Sequence, residues 1–347
     1  MREHTPIVRQ AELQPLLELT ERVGCDPLLT QASTGNSSAK LDGVLWIKAS
    51  GQLMANAKCD DILIPLDLKV VTKCLQQGVD PAQRYPSASL ETAMHAALPH
   101  RVVLHVHCVN TIAWAVRSDA PVQLKNRLEG LRWQWIPYVA SGLPLSRAVE
   151  HALSACPDTN LFVLGNHGLV VAGEDSKMVD DLLTEVKQRV AIPPREAHPA
   201  DYAALMDISM NSPWDLPDDD RVHALGTDAI SQAILAGGLL YPCQAIFFGS
   251  QAVELFRSIP YPGPGHDWQT RYRNRAFLII ERRGVLVNRS IAPAELAILS
   301  GLAQVVQRLR ESAPLRYLTG AEVAGISSQA AYRYRKIANA GRARAGR

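Results

Sequence analysis

Three histidines and one glutamate in this chain stand at spacings that could hold and use a metal ion. His105 and His107 lie two apart in the run Arg101-Val102-Val103-Leu104-His105-Val106-His107, whose branched apolar residues predict a strand. Strand side chains alternate between faces, so both imidazoles point to one side with Cα atoms about 7 Å apart. Two imidazoles at that separation can reach one divalent ion, and a catalytic zinc takes three protein ligands while keeping a position open. His167 is the third candidate, in Asn166-His167-Gly168, a turn-like break between the apolar runs 161–164 and 169–171, both read as buried strands. Glu91 lies upstream in the segment 86–95, where Ser89 predicts an N-cap. Glu91 and His95, four apart, then share a helix face turned toward the histidine strand. A carboxylate beside a dication ionises readily and suits a general base better than an acid. The His105 and His107 pair taken alone also fits ordinary sheet histidines, and it is Glu91 and His167 that favour a metal site. Cys108 follows the pair but alternates to the opposite face, a packing position.

The surrounding elements must position these groups. Leu13, Leu16, Leu17 and Leu19 predict an amphipathic helix over 11–23. The stretch 33–50 reads as strand, turn, strand, with Leu41-Asp42-Gly43-Val44 as the hairpin. Gly35, Asn36, Ser50 and Gly51 fall in its loops, where glycine lets backbone N–H groups approach an anion and hydroxyls add donors; plain turn residues are the alternative. Lys48 could add a positive charge, although alternation does not fix its face. A strand over 60–65 leads into a helix over 66–77 that Gly78 ends. Helices are predicted over 111–116, 145–155 and 176–190, and a strand over 133–138. By periodicity alone this is an α/β domain. A break rich in proline and aspartate sets residues 1–200 apart as the domain that carries the site, 201–220 as a linker and 221–347 as a smaller α/β extension. In the extension, helices are predicted over 221–235, 294–309 and 329–338, and strands over 245–248, 277–280 and 285–287. No chemical motif stands out there.

At 347 residues the chain can form two ordinary domains with a well-buried core. Its net charge of +2, from 36 basic and 34 acidic residues, offers no field to draw nucleic acid or an anionic membrane. Arg333, Arg335, Lys336, Arg342, Arg344 and Arg347 gather at the end, and read as a solvated tail, not a nucleic-acid arm. No apolar run reaches the roughly eighteen residues that cross a bilayer, and the first residues lack a signal-peptide core. A cytoplasmic protein with no membrane partner is expected. Six cysteines without a Cys-X-X-Cys pair read as reduced thiols.

Five blocks occur in order: Thr34-Gly35-Asn36-Ser37-Ser38, Leu45-Trp46-Ile47-Lys48-Ala49-Ser50-Gly51, the segment 86–95, His105-Val106-His107 and Asn166-His167-Gly168-Leu169. Through them the chain, up to about residue 200, resembles the class II aldolase and adducin family, which includes fuculose-phosphate and rhamnulose-phosphate aldolases. The resemblance implies a mixed, largely antiparallel sheet covered by helices. It implies Zn2+, or another divalent cation, on His105, His107 and His167, with Gly35, Asn36, Ser50, Gly51, Ser87 and Ser89 contacting the substrate and its phosphate. Glu91 would ligate the resting metal or shuttle a proton. The implied reaction is cleavage of a small, phosphorylated keto sugar through a metal-stabilised enediolate. Family relatives also use this metal site for epimerisation, dehydration or decarboxylation of sugars or hydroxy acids, and an adducin-like binding module without catalysis is a further alternative. The three histidines and Glu91 argue against that last one, since a scaffold has no need of them. The resemblance also implies a homo-oligomer, a tetramer above all, with sites at subunit interfaces. One feature departs from the pattern. Fuculose-phosphate aldolase-like enzymes take a tyrosine from the neighbouring subunit, yet no tyrosine lies between Tyr85 and Tyr138. Tyr138 falls in a segment that resembles a later strand, which leaves Asp119 and Glu129 as the nearest ionisable substitutes.

Overall fold

The computed structural model describes residues 7–210, 212–249, 252–326 and 329–340; Arg342, Arg344 and Arg347 of the basic tail lie outside them. The chain divides into two compact units, one ending at Ala191 and the other running from Ile192 on and taking in Val116–Ser118.

The described residues of the first unit form a seven-stranded sheet from β1 (Asn36–Leu41), β2 (Val44–Lys48), β3 (Leu63–Asp67), β4 (Val102–Val106), β5 (Trp133–Ile136), β6 (Leu161–Leu164) and β7 (Gly168–Gly173). Their spatial order is β3-β2-β1-β4-β7-β6-β5. Neighbours are antiparallel except β5 and β6, which are parallel. This is the mixed, largely antiparallel sheet that the sequence leads one to expect. The β1–β2 hairpin turns on Asp42 and Gly43, with φ of 50° and 78°. Two left-handed residues in succession match the right-handed twist of the strands, and an Asp-Gly pair tolerates them. Helices Thr92–Ala97 and Leu143–Ala155 cover the sheet over a core that includes Met94, Leu98, Val103, Val149 and Phe162. The Ile7–Gly24 helix buries Leu13, Leu16 and Leu19 and leaves Leu17 half-buried. Ser176–Arg189 starts where the Asp175 side chain accepts from the Met178 N–H at 2.7 Å, satisfying one donor that the first helical turn leaves free.

The second unit holds a three-stranded antiparallel sheet, β8 (Trp214–Asp215), β9 (Phe277–Ile280) and β10 (Gly284–Asn288), in the order β8-β10-β9. The stretch 201–220, read from composition as a linker, is folded. Asp201 caps a helix over Tyr202–Ser209, and Leu205, Ile208 and Trp214 are buried with Leu278, Ile280 and Leu286. The break between units lies at Ala191 and Ile192. Residues 245–248, expected as a strand, belong to a helix over Pro242–Phe248. Pro242 opens its first turn, and Gln244 Oε1 accepts from the Leu240 N–H at 2.7 Å. A four-residue apolar run carries no period, so the flanking proline and glutamine decide its conformation. The predicted 221–235 helix is broken at Asp228, which is extended and whose side chain caps Ala229–Ala236.

Candidate metal centre

His105 lies on β4 opposite Asn36 of β1 and Val170 of β7. β4 ends at Val106, so His107 stands one residue past the strand. Leu164 pairs with Gly168, leaving 165–167 as the connection between β6 and β7. Because β7 adjoins β4, this connection delivers His167 to the pair. Two residues without side chains permit the approach. A Cβ on Gly168 would lie 2.5 Å from the Val106 carbonyl oxygen and 3.3 Å from His105 Cε1. Gly35 has φ of 72°, and a Cβ there would lie 2.8 Å from the His105 carbonyl oxygen. Asn166 turns the chain with φ of 51°, a conformation asparagine accepts more readily than most residues.

The three rings converge with centroids 4.9 to 5.2 Å apart, and one potential ligand atom from each lies within 4.8 Å of the others. All three are buried. Glu91 joins them, with Oε1 3.2 Å from His167 Nε2 and Oε2 3.4 Å from His105 Nε2. His105 Nδ1 lies 3.0 Å from the Leu169 carbonyl oxygen, which can only accept, so Nδ1 carries the proton and Nε2 the lone pair. That Nε2 is buried without a hydrogen-bond partner, as a ligand atom awaiting a cation would be.

Charge states favour the same use. Burial pushes His105 down to about 4, against the pull of Glu91, and drives His107 well below the usual imidazole range, with His105 and His167 adding to the effect. Burial alone would raise the Glu91 pKa; His105, His167 and the Asn36 hydrogen bond together hold it well below the carboxylate range. Neutral imidazoles and an ionised carboxylate are the forms that bind metal. The donor set fits a divalent ion.

Glu91 itself is placed differently from the sequence expectation. It occupies the N-cap of the Thr92–Ala97 helix and does not lie within it. Ser89 Oγ accepts from the Glu91 N–H at 3.2 Å, so Ser89 braces the turn ahead of the cap. His95 does not face β4 with Glu91; its ring reaches β1, at Ser38 and Asn36. Asn36, expected at the anion end of a substrate, donates from Nδ2 to Glu91 Oε2 at 2.8 Å and to Ser89 Oγ at 3.0 Å. Ser141 Oγ donates to Glu91 Oε1 at 3.3 Å; no local sequence signal marks this loop serine, fifty residues from its partner. The Ser50 N–H donates to the Ser87 carbonyl at 2.8 Å, which sets the Ser50-Gly51 turn beside the segment of Ser87 and Ser89. Lys48 is buried, its Nζ donating to the carbonyls of Ser33, Ala49 and Gln52 at 3.2, 3.3 and 2.7 Å. Burial pushes it down to about 7, with Glu91 pulling it back up. Cys108 is buried outside the imidazole group. Asp119 accepts from Gln123 Nε2 at 3.2 Å, and Glu129 is exposed.

Three buried imidazoles and an ionised carboxylate, converging at one end of the central strand of an α/β sheet, define a domain equipped to take a divalent cation. The chain belongs to the class II aldolase and adducin family: residues 16–191 match its N-terminal domain. Its sequence is similar to that of the uncharacterized oxidoreductase YuxG of Bacillus subtilis strain 168, 28% identical over 191 residues, covering 48% of this chain and 27% of that protein. The chain thus spans about a quarter of the length of this curated relative. Among solved structures, it is similar to the N-terminal class II aldolase domain of a conserved protein from Thermoplasma acidophilum (21% identity, 55% of this chain, 95% of the other, TM-score 0.46). It is also similar to the l-fuculose-1-phosphate aldolase of Thermus thermophilus (18% identity, 52% and 91%, TM-score 0.39). No helix among the described residues is long and apolar enough to cross a membrane.

Proposed function

We propose that the chain is a metal-dependent lyase that cleaves a small, phosphorylated keto sugar by a retro-aldol reaction, with Zn2+ or a similar divalent ion on His105, His107 and His167. The observation that carries this reading is the buried imidazole triad with Glu91 at 3.2 and 3.4 Å from two of its ring nitrogens. When bound, such an ion supplies Lewis acidity for negative charge developing on the substrate's carbonyl oxygen. Glu91 handles the proton at C3, the enediolate carbon. The hydroxyl beside the scissile bond gives up its proton, the C3–C4 electron pair passes to the carbonyl, an aldehyde leaves, and C3 regains a proton. Gly35, Ser50, Gly51, Ser87 and Ser89 receive the phosphate end, through backbone N–H groups and hydroxyls. Asn36, with both amide hydrogens engaged, serves Glu91 instead. The chain works as a homo-oligomer, a tetramer by analogy with the family, in which a neighbouring chain supplies the missing acid.

Metal content and product formation test the reading together. Purified protein should hold one divalent ion per chain and release dihydroxyacetone phosphate from l-fuculose 1-phosphate or another keto-sugar phosphate in a panel. His107→Ala should lose both. Full activity in protein free of metal would overturn the proposal, and an isomeric sugar phosphate as the sole product would replace cleavage with epimerisation.

A further inference from the structure

Among the described residues, His95 is the one buried imidazole of the first unit that the proposed chemistry does not use. Its ring bridges two residues of β1. Nδ1 lies 2.7 Å from Ser38 Oγ, and Nε2 lies against Asn36 Oδ1. Ser38 and Asn36 are two apart on one strand, so they share a face, and the Thr92–Ala97 helix lays His95 across both.

The donors and acceptors along this line can be ordered from one end. The Glu91 carboxylate only accepts, so the nitrogen of the Asn36 amide must face it, as observed at 2.8 Å. The amide oxygen then faces His95 and also only accepts, so Nε2 carries the ring proton. Nδ1 is left as an acceptor, and the Ser38 hydroxyl donates to it. Each link fixes the next.

We propose that His95 is a positioning residue for Glu91, acting through Asn36: the Ser38–His95–Asn36 chain fixes the amide so that it holds Oε2 of the carboxylate against the imidazole cluster. Without the His95 N–H, the amide oxygen has no donor facing it, Asn36 is no longer braced from its far side, and its Nδ2 holds the carboxylate less firmly. Glu91 would swing away from His105 and His167. The inference rests on the proposed role of Glu91, which gives its placement a consequence.

Two measurements test it, neither requiring turnover. In metal-free protein labelled with 15N in its histidine rings, His95 should show the Nε2–H tautomer at neutral pH, and Asn36→Ala should abolish that preference. Co2+ binding supplies the second. Glutamine can place an amide N–H near the position of Nε2, whereas asparagine reaches only to that of Nδ1. His95→Leu and His95→Asn should weaken Co2+ binding roughly 10-fold, the low end for loss of an outer partner, and His95→Gln should recover most of that. In a Glu91→Gln background, His95→Leu should cost nothing further, as expected when one residue acts only through another. If His95→Leu does not fold, the asparagine and glutamine variants carry the comparison. An Nδ1–H tautomer, equal affinities in the asparagine and glutamine variants, or additive losses with Glu91→Gln would overturn the proposal. Wild-type protein that binds no Co2+ would instead overturn the metal reading, and the tautomer would still decide the hydrogen-bond chain.

Discussion

Glu91 is buried and yet ionised, because His105, His167 and Asn36 offset the desolvation that would otherwise neutralise it. Its removal would leave the three imidazoles in place. Glu91→Gln should therefore still carry the ion through purification, read by elemental analysis, with Co2+ affinity lowered by no less than the roughly 10-fold expected of His95→Leu, and lose roughly 100-fold or more in kcat, the scale of general-base catalysis. Near wild-type kcat would leave Glu91 a structural residue. The imidazoles make a separate demand on stability. His95 and His105 are pushed down to about 3 and about 4, in both cases chiefly by burial, from the unfolded value of about 6.5. Above about pH 6.5 both are neutral, folded or unfolded, and contribute nothing to the pH dependence. As pH falls through that value only the unfolded chain gains protons, so stability drops by about 1.4 kcal/mol per pH unit for each imidazole until the folded pKa is reached. His107 is depressed in the same sense. Glu91 reinforces the trend, since its depressed pKa contributes stability at neutral pH that is lost on acidification through the carboxylate range. Metal-free protein should unfold at distinctly lower urea concentration at pH 5 than at pH 7. Equal midpoints would mean that these rings are not held neutral in the fold.

Strands and turns bring the three imidazoles together, and those parts of the candidate site were legible because their signals are local. Alternation along the segment 101–107 and the Asn-His-Gly break after 161–164 both announce themselves within a few residues, as does the Asp-Gly hairpin at 42–43. Glu91 was harder, because Ser89 and Glu91 can each head a helix. The helix starts after Glu91, whose carboxylate is held by Asn36 and Ser141, 55 and 50 residues away, contacts that no window of sequence contains. The fold of 201–220 was hidden for a similar reason: β8 is only two residues long and exists by pairing with β10. Gly168 shows how an element can control a site that its side chain never touches. Gly168→Ala would set a methyl group 2.5 Å from the Val106 carbonyl oxygen, so β7 and β4 must separate beside the imidazoles of His105 and His167. Loss of metal affinity together with a Tm lower by several degrees is expected, since overpacking costs about 1–3 kcal/mol. Unchanged metal affinity with a lowered Tm would show that the two strands yield without disturbing the ligands.

At the scale of the whole molecule, the first unit gathers the imidazoles, Glu91 and the Ser50, Ser87 and Ser89 turns, while the family's tyrosine has no counterpart in the corresponding segment. In the proposed cleavage the C4 hydroxyl loses a proton and C3 gains one; with Glu91 assigned the transfer at C3, a second group must serve the hydroxyl. Glu129 is exposed, on the stretch between the histidine pair and β5 where the family's donor would fall; Asp119 is partly occupied by Gln123. An exposed carboxylate is available to a neighbouring chain, and ring symmetry with heterologous contacts allows each chain to complete the next. Mixing inactive Glu91→Gln with inactive Glu129→Gln therefore bears on assembly and mechanism at once. In a shared site, a Glu129→Gln chain supplies a native Glu91 and its Glu91→Gln neighbour a native Glu129, so a fraction of the sites in mixed oligomers is whole. Activity should return to roughly a quarter of the wild-type level in random mixtures, because a working site needs a native residue from each of two chains. Mass spectrometry must show that subunits have exchanged. If they have and activity stays absent, either each chain is catalytically self-contained or Glu129 is not the acid, and Asp119→Asn in place of Glu129→Gln separates the two.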